Sequence, residues 1–386
     1  MSHSLFQPIQ LGRYTLQHRV VMPALTRNRA LNDHAVDERT VEHYAARAAV
    51  PGTLLITEAT FVARRNAGIP NWATTPGIWS AEQIQAWKKA FNAVHAQKSV
   101  IFLQLWANGR DNDPDLLALR DPSFSYTSAS DVPRAGISRA PRPLTHDEIQ
   151  ALVHDFGAAA KAAVNEAGFD GVEFHAAGGR LIDEFFKRAT NLRTDEYGGS
   201  IENRSRFYLE ILGEVVEAVG ADRVGVKIAP WVLGSANAGK EGQDDPRPVF
   251  TYAVNETRKR HPKLAYLHVL EPRSSDDPRA NDFLRNIWAG KPYISDGGYT
   301  RETAITRADK DEKALVSFGR YYTSNPDLPI RLEYNIPLTP YDRASFYFDV
   351  EGSHLGYNTF EFSEESRRIL EARRADHQAS LRSVSL

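Results

Sequence analysis

Short apolar runs alternate along the chain with longer amphipathic stretches. Eight of these runs predict buried strands: residues 19–22, 53–57, 99–103, 171–174, 224–228, 266–269, 293–295 and 315–318. Between them, apolar residues recur three and four positions apart, which is the spacing of one helix face. This spacing predicts helices over residues 81–96, 146–167, 206–219 and 249–260. Thr145 and Glu148 predict a capping box at the start of the second of these helices.

The alternation of buried strands with helices is typical of parallel α/β structure built from βαβ units. Eight strands favour a closed (β/α)8 TIM barrel over an open doubly wound sheet, and no G-x-G-x-x-G motif follows the first strand. Polar stretches at residues 109–143 and 234–248 predict loop insertions after strands three and five. Because no linker divides the chain, we expect residues 1–386 to form a single domain.

Charge and composition limit the function classes. The 47 Lys and Arg residues nearly balance the 49 Asp and Glu residues, giving a net charge of −2, so nothing indicates a nucleic-acid partner. The chain has no cysteine, which excludes disulfides, thiolate catalysis and zinc–thiolate sites. The N-terminus lacks the pattern of a secretory signal, and the apolar runs are too short to span a membrane. We therefore expect a cytoplasmic protein without a nucleic-acid or membrane partner, and no interface motif decides between a monomer and a homodimer.

In such a barrel, the catalytic groups lie at the carboxyl ends of the strands. These ends carry few carboxylates; Glu58 and Glu271 could form a glycosidase pair by position alone. The histidine at the end of the fourth strand has no clear companion for a metal, so no metal site is predicted. Gly297, Gly298 and Arg320 follow strands seven and eight, where barrels commonly bind phosphate, although the glycine pair also suits a plain tight turn.

Five sequence motifs resemble one enzyme family. Residues 191–204 read NLRTDEYGGSIENR, and they are joined by MPALTR at 22–27, FLQLW at 102–106, FGR at 318–320 and YDR at 341–343. Together these resemble the old yellow enzyme family of FMN-dependent ene-reductases over nearly the whole chain. Residues 50–60 resemble the fungal branch that includes ergot-alkaloid pathway reductases. The resemblance implies FMN as cofactor, NADPH as reductant, and an enone or related intermediate of fungal secondary metabolism as substrate.

The resemblance also implies a set of cofactor-binding residues: Pro23, Leu25, Thr26, Ala59, Gln104, His175, Lys227, Gly297, Gly298, Gly319 and Arg320. Thr26 matches the hydroxyl that hydrogen-bonds flavin O4, and Gln104 matches the amide that reads the pyrimidine edge. Lys227 takes the place of the cation that stabilises the reduced flavin anion. Singly, each has an ordinary structural explanation, such as an ion pair for Lys227; as an ordered set at strand ends, they indicate FMN.

The segment after strand four departs from the family pattern, which is His-x-x-His or His-x-x-Asn followed two residues later by Tyr. His175 is present, but Gly178 replaces the second carbonyl donor and Arg180 replaces the tyrosine that protonates the α-carbon. Loss of one donor costs about 3 kcal/mol of transition-state stabilisation. Loss of a general acid costs about 10²–10⁴-fold in rate. We expect the catalytic residues to be His175, Arg180 and Thr26, and the substrate-binding residues to be Trp106, Gly178, Arg180 and Phe360.

Several alternatives stay open at this point. Arg180 could bind a substrate carbonyl or carboxylate, form a surface ion pair, or pair with a local acid such as Asp183 or Glu184. The protein could be an ene-reductase with an atypical proton-transfer site, or an FMN enzyme that catalyses oxidation, desaturation or redox-neutral isomerisation. The third possibility is a barrel repurposed for non-redox catalysis or for binding.

Overall fold

The structure is a computed structural model that describes residues 3–67, 74–115, 118, 124–231, 244–271, 280–347 and 353–384. The strands in chain order are β1 (Ile9–Leu11), β2 (Tyr14–Leu16), β3 (Val20–Met22), β4 (Leu54–Ile56), β5 (Thr60–Phe61), β6 (Val100–Trp106), β7 (Thr127–Ser128), β8 (Arg142–Pro143), β9 (Gly171–Ala176), β10 (Val224–Ile228), β11 (Tyr266–Leu270), β12 (Tyr293–Asp296) and β13 (Ala314–Ser317). The helices are α1 (Glu38–Arg47), α2 (Ala81–Ala96), α3 (His146–Lys161), α4 (Leu181–Phe186), α5 (Ile201–Val219), α6 (Arg247–Arg260), α7 (Asp282–Trp288), α8 (Arg301–Lys310), α9 (Gly319–Ser324), α10 (Leu328–Tyr334) and α11 (Glu364–Val384).

Eight parallel strands close into the predicted barrel. Their order around the barrel is β4, β3, β13, β12, β11, β10, β9 and β6, and pairing of β4 with β6 closes the ring. Each contains most of one predicted strand, so the TIM-barrel prediction is confirmed. β6 runs three residues further than predicted, to Trp106, because the chain stays buried to its end. β13 ends at Ser317, one residue before the predicted end, because Phe318 already caps α9.

The hairpin of β1 and β2 lies at the start of the chain, and its apolar side chains pack against strand residues of the barrel. Ile9, Leu11 and Leu16 are buried in one cluster with Leu54 and Tyr266. An apolar side chain that is fully buried in this way contributes about 1.5–3 kcal/mol to folding. The hairpin turns at a glycine with φ of +54°, a backbone conformation that other residues rarely adopt. The other end of the barrel, where the strands finish, carries the candidate site.

Side-chain caps fix where the outer helices begin. The predicted capping box between Thr145 and Glu148 is present at the start of α3. That helix continues as a π-helical turn over Ala162–Ala167, so the predicted end at Ala167 is also correct. α5 begins at Ile201, five residues before the predicted start, because the Ser200 side chain accepts a hydrogen bond from the Asn203 backbone N–H. Sequence periodicity alone did not include this polar first turn.

The two predicted insertions differ in how far the structure describes them. In the first, residues 109–143, the short strands β7 and β8 pair with each other and Ser128 is fully buried, so this loop is packed rather than solvated along these parts. Of the second, residues 234–243 lie outside the described residues. α6 begins at Arg247, so the last two residues of the predicted loop are helical. Among the helices that the structure describes, none is long and apolar enough to cross a membrane.

Candidate active site

A cavity of about 630 Å³ lies at the carboxyl ends of β3, β12 and β13. Its lining residues are Pro23, Ala24, Leu25, Thr26, Arg27, Leu270, Asp296, Gly297, Gly298, Tyr299, Thr300, Ser317, Phe318, Gly319, Arg320, Tyr321, Thr323, Tyr341, Arg343, Phe346 and Tyr347. The lining therefore combines three strand ends with a C-terminal segment, defined here as residues 341–347 and 353–363. Seven of the predicted cofactor-binding residues are on this wall, the three after β3 and the four after β12 and β13.

Glycines give one end of the cavity its shape. Gly298 has φ of +82°, which a residue with a side chain adopts only at a cost. A Cβ atom on Gly297 would lie 2.8 Å from the Glu271 carbonyl oxygen, and one on Gly319 would lie 3.2 Å from the Leu25 side chain. Side chains at these positions would crowd these neighbours, so the close packing here favours glycine. A turn lined by glycines lets backbone N–H groups approach a ligand closely, which fits the predicted phosphate site.

Two arginines supply positive charge at this end. Arg320 donates a hydrogen bond to the Tyr341 hydroxyl at 3.3 Å, and its guanidinium lies 5.7 Å from the centroid of that ring. Arg343 lines the same cavity. The sequence analysis did not select Arg343 as a site residue, although it is the cation of the YDR motif. Two guanidinium groups beside an open glycine cradle fit the phosphate of a flavin nucleotide.

A chain of buried polar side chains links five barrel strands. Gln104 Nε2 donates to Glu173 Oε1 at 2.6 Å, and His268 Nδ1 lies 2.8 Å from Glu173 Oε2. His268 Nε2 lies 3.7 Å from Asp296 Oδ2, and Lys227 Nζ donates to that same oxygen at 2.7 Å. Asp296 also lines the cavity, so this chain connects Gln104 and Lys227 to its wall.

Both carboxylates of this chain of side chains are stabilised in their ionised form by their neighbours. Burial by itself would raise the pKa of Glu173, but His268, Lys227 and Gln104 hold it below its ordinary value. Burial acts in the same direction on the pKa of Asp296, and Lys227 and His268 hold it below its ordinary value as well. Both carboxylates are therefore ionised at neutral pH.

Sequence reasoning selected two members of this chain and missed the other three. It named Gln104 and Lys227, and it did not select Glu173, His268 or Asp296. The hydrogen bond to Glu173 uses the Gln104 NH2 group, so the amide oxygen is left to accept from a ring N–H. Asp296, an unfavourable neighbour for an anion, is paired with Lys227. The alternation of side chains along the strands is the signal in the sequence that could have found the missed residues, since it places them on the inward face of the barrel.

His175 stands near the end of β9, in register with Lys227 on β10. Burial and the Lys227 charge lower the pKa of His175 to about 4, so its imidazole is neutral at pH 7. Its Nδ1 atom is buried, and in the part of the chain that the structure describes it has no hydrogen-bond partner. The Trp106 ring lies 6.4 Å from the imidazole, centroid to centroid. A neutral imidazole with an unused nitrogen can hold the oxygen of a carbonyl compound through its single N–H donor.

Beside this imidazole, Gly178 leaves space. Its φ is +65°, and a Cβ atom built on it would come no closer than 4.0 Å to the His175 ring. The position that supplies a second carbonyl donor in the family pattern is therefore open.

Arg180 is directed to a distant acid. It forms an ion pair with Asp111, from the loop after β6, and Asp111 also pairs with Arg134 Nε at 3.1 Å. The Arg180 side chain is 17% exposed, and its guanidinium lies 5.4 Å from the centroid of the Trp106 ring. Burial lowers the pKa of Arg180 to about 10, which leaves it charged at pH 7. The alternative in which Arg180 forms an ion pair at the surface is therefore wrong.

The two acids expected to pair with Arg180 have other partners. Asp183 accepts a hydrogen bond from the Gly179 backbone N–H at 2.7 Å and forms an ion pair with Lys187. Glu184 accepts from the Arg110 backbone N–H at 2.8 Å and from the Ser128 hydroxyl at 2.6 Å. The sequence did not indicate Asp111 as a partner of Arg180, because sequence proximity does not show which loop the barrel brings beside α4. The loop after β6 is thus anchored to α4.

The C-terminal segment is held over the strand ends by two arginines that are each 1% exposed, Arg27 and Arg29. Arg27 donates to the Phe346 carbonyl at 3.1 Å and to the Gly356 carbonyl at 2.6 Å. Arg29 donates to the Ser345 carbonyl at 3.2 Å. These bonds fix the backbone that carries Phe346 and Tyr347 into the cavity wall.

Some predicted residues lie apart from this cavity lining. Ala59 packs in a small cluster with Phe61 and Trp106. Phe360 is partly buried, and the described cavity residues of the C-terminal segment are Tyr341, Arg343, Phe346 and Tyr347 instead. These four residues are functional candidates that the sequence analysis did not select.

The carboxylates considered for a glycosidase are occupied elsewhere. Glu58 is buried and accepts a hydrogen bond from the Arg27 backbone N–H at 3.1 Å. Glu271 pairs with Arg285 and accepts from the Tyr299 hydroxyl at 2.5 Å. The described residues contain no group of three His, Cys, Asp or Glu side chains that could hold a metal ion.

Comparison with known proteins agrees with this geometry. The profile of the NADH:flavin oxidoreductase / NADH oxidase family matches residues 4–339. The chain is 43% identical to the "Probable inactive dehydrogenase easA" of Claviceps fusiformis, over 94% of this chain and 96% of that protein. It is also 43% identical to the chanoclavine-I aldehyde reductase fgaOx3 of Penicillium roqueforti, over 95% of this chain and 99% of that protein.

A solved structure gives the same result. The old yellow enzyme of Pichia sp. AKU4542 superposes with a TM-score of 0.85 at 36% identity, covering 94% of each chain. The family, the barrel and the glycine and arginine cradle agree. The chain therefore belongs to the NADH:flavin oxidoreductase / NADH oxidase family, as an FMN-dependent oxidoreductase of the old yellow enzyme type.

Proposed function

We propose that the protein reduces the carbon–carbon double bond of an α,β-unsaturated aldehyde or ketone, with NADPH as the source of the hydride. The observation that carries this proposal is the neutral His175 imidazole, which has an unpaired buried nitrogen at a strand end beside Lys227. This group is suited to hold a carbonyl oxygen while negative charge develops on it.

FMN, when bound, accepts the nicotinamide hydride and delivers it to the β-carbon of the substrate. The chain's own residues bind and orient the reactants. The Gly298 turn and the two arginines hold the phosphate, and Thr26 on the same cavity wall offers its hydroxyl to the ring. Lys227 places a positive charge near the pyrimidine edge, and Asp296 keeps that ammonium in position at 2.7 Å.

The substrate is held by one donor instead of two. His175 donates to the carbonyl oxygen, whereas Gly178 offers no side chain. Relative to a site with two donors, about 3 kcal/mol of enolate stabilisation is missing. This favours substrates whose carbonyl is intrinsically electrophilic, and an unsaturated aldehyde is more electrophilic than the matching ketone.

The relatives support the substrate class but do not decide activity. One is named an aldehyde reductase and another an inactive dehydrogenase, at the same identity of 43%. Overall similarity therefore does not separate the two. We extend the proposal to a natural-product aldehyde of fungal secondary metabolism, and to a cytoplasmic location, where NADPH is abundant.

The test is an anaerobic visible spectrum of the purified holoenzyme. NADPH should bleach the flavin bands, and an α,β-unsaturated aldehyde such as cinnamaldehyde should restore them with one equivalent of saturated aldehyde formed. His175→Ala should slow the restoring step by about 10²-fold, and the bleaching step much less. His175→Asn is the matched control, since it keeps an N–H donor.

Other outcomes would contradict this reduction. Bands that bleach with substrate alone, without NADPH, would indicate oxidation or desaturation. Substrate turnover with unchanged bands and no net NADPH use would indicate isomerisation. Bleached bands that no unsaturated aldehyde or ketone restores would refute the proposal.

A further inference from the structure

Reduction of a C=C bond needs a proton at the α-carbon, and residue 180 cannot supply it. Arg180 is paired with Asp111, whose side chain is 3% exposed, so loss of the guanidinium proton would leave a buried carboxylate with one fewer cation. Arginine also remains protonated at neutral pH. Another acidic group must therefore reach the substrate.

Four tyrosines line the cavity, and three of them belong to its phosphate end. The Tyr299 hydroxyl donates to Glu271 at 2.5 Å. The Tyr341 hydroxyl accepts from Arg320, and the Tyr321 ring packs edge-on against Tyr341 at 5.4 Å. The cited contacts therefore place these three rings at that end of the wall.

Tyr347 is placed differently. Its side chain follows Phe346 on the C-terminal segment and lines the same cavity as Thr26, the residue assigned to the flavin ring. It lies close enough to Arg180 for a phenolate there to raise the pKa of the guanidinium. Tyr347 thus belongs to the cavity wall that includes Thr26, and it is close to Arg180, the residue that occupies the proton donor's place in the family pattern.

The backbone and exposure of Tyr347 also suit proton transfer. The preceding carbonyls, of Ser345 and Phe346, accept hydrogen bonds from Arg29 and Arg27 and fix the direction of the segment. Tyr347 is 60% exposed, so a phenolate formed there can be reprotonated by water.

We propose that Tyr347 is the catalytic acid that protonates the α-carbon, and that Arg180, fixed by Asp111, is its positioning residue. The β-carbon gains the hydride that originates from NADPH, the C=C π bond breaks, and the enolate carbon takes the phenolic proton. Water returns that proton to Tyr347, so NADPH and one proton are consumed for each double bond reduced. This inference rests on the proposed function.

The experiment compares Tyr347→Phe with wild type as holoenzyme. FMN content and the flavin absorption spectrum should be unchanged, and bleaching by NADPH should stay within twofold. Re-oxidation by cinnamaldehyde should fall by about 10²–10⁴-fold, the contribution of a general acid. Tyr334→Phe, on the exposed surface of α10, is the matched control and should behave as wild type.

A nitroalkene separates proton transfer from a structural effect. Hydride addition to it gives a nitronate, an anion that is stable without a proton. Tyr347→Phe should therefore still be re-oxidised by a nitroalkene at near wild-type rate, and it should release nitronate, which is detected by its ultraviolet absorbance. Arg180→Tyr in the Tyr347→Phe background should recover part of the cinnamaldehyde rate.

Two results overturn the inference separately from the proposed function. If wild type and Tyr347→Phe reduce cinnamaldehyde equally fast, Tyr347 is not the acid, and the proposed reductase function still stands. Equal slowing with cinnamaldehyde and nitroalkene would assign Tyr347 a structural role and would refute it too. Wild type that is bleached by NADPH but re-oxidised by neither compound would overturn the proposed function itself.

Discussion

Gly178→Asn should add the second carbonyl donor that this site lacks. The backbone at Gly178 has φ of +65°, and asparagine is the residue after glycine that best tolerates this left-handed conformation. A Cβ atom there meets nothing nearer than the His175 ring at 4.0 Å. The three-residue spacing from His175 then places an amide N–H on the same side of the turn as the imidazole.

The size of the effect follows from the donor. One positioned donor to a developing oxyanion is worth about 3 kcal/mol, which corresponds to roughly 10²-fold in rate. The cost is conformational strain of about 1 kcal/mol in folding stability, because a left-handed residue with a side chain is less favourable than glycine. The gain should appear in the oxidative half-reaction and be larger for a weakly electrophilic ketone such as cyclohexenone than for an aldehyde.

The assay is stopped-flow re-oxidation of NADPH-reduced enzyme by cyclohexenone. Gly178→Ala is the control, since it fills the same space and carries the same backbone strain without a donor. A gain of about 10²-fold in Gly178→Asn and none in Gly178→Ala is expected. If both variants bind FMN normally and neither gains, the carbonyl oxygen is not held beside residue 178, and the reasoning fails.

Three further perturbations test the buried charges and the C-terminal segment. Lys227→Met leaves Asp296 without its nearest cation and should lower the unfolding free energy, measured by urea titration, by about 3–5 kcal/mol. Adding Asp296→Asn to the Lys227→Met variant should restore most of this stability. Burial raises the pKa of Glu184 to about 7, above its unfolded value, so its stabilising contribution is full below pH 4 and is lost as pH rises to 7. Glu184→Gln should remove roughly 3 kcal/mol of the fall in unfolding free energy between pH 4.5 and 7.5; an unchanged pH slope would contradict this. Arg27→Leu removes the hydrogen bond to the Phe346 carbonyl and should speed amide hydrogen exchange over residues 343–347, measured by mass spectrometry, with β10 as the unaffected reference.

The inserted loop after β6 shows where sequence reasoning has limits. Its polar composition predicted an insertion, and composition could give no more than that. The structure anchors it through Glu184, which receives the Arg110 N–H and the Ser128 hydroxyl, and through Asp111, which receives Arg180. A polar residue in a loop looks the same in sequence whether it is solvated or buried against another loop, so the pairing was not predictable.

The candidate site residues also divide into those that the sequence indicates and those that only the tertiary structure brings to the cavity. Pro23, Leu25, Thr26 and the glycines after β12 and β13 were found because each directly follows a predicted strand and stands in a distinctive motif. Tyr347 lies far from any barrel strand in sequence. It reaches the cavity because Arg27 and Arg29 hold the backbone before it, and no local pattern encodes that contact.

The sequence by itself determined the barrel and brought seven of the predicted cofactor-binding residues to one cavity wall. Alternating burial sets strand and helix locally, and parallel strands of similar length bring their carboxyl ends to one rim, so residues after those strands must converge. Only the tertiary structure decided the polar partners: Lys227 pairs with Asp296, Arg180 pairs with Asp111, and the neutral Gln104 amide donates to Glu173. The physical reason is that a buried charge takes whichever counter-charge the closed barrel brings within a few ångströms, and that distance depends on the whole chain.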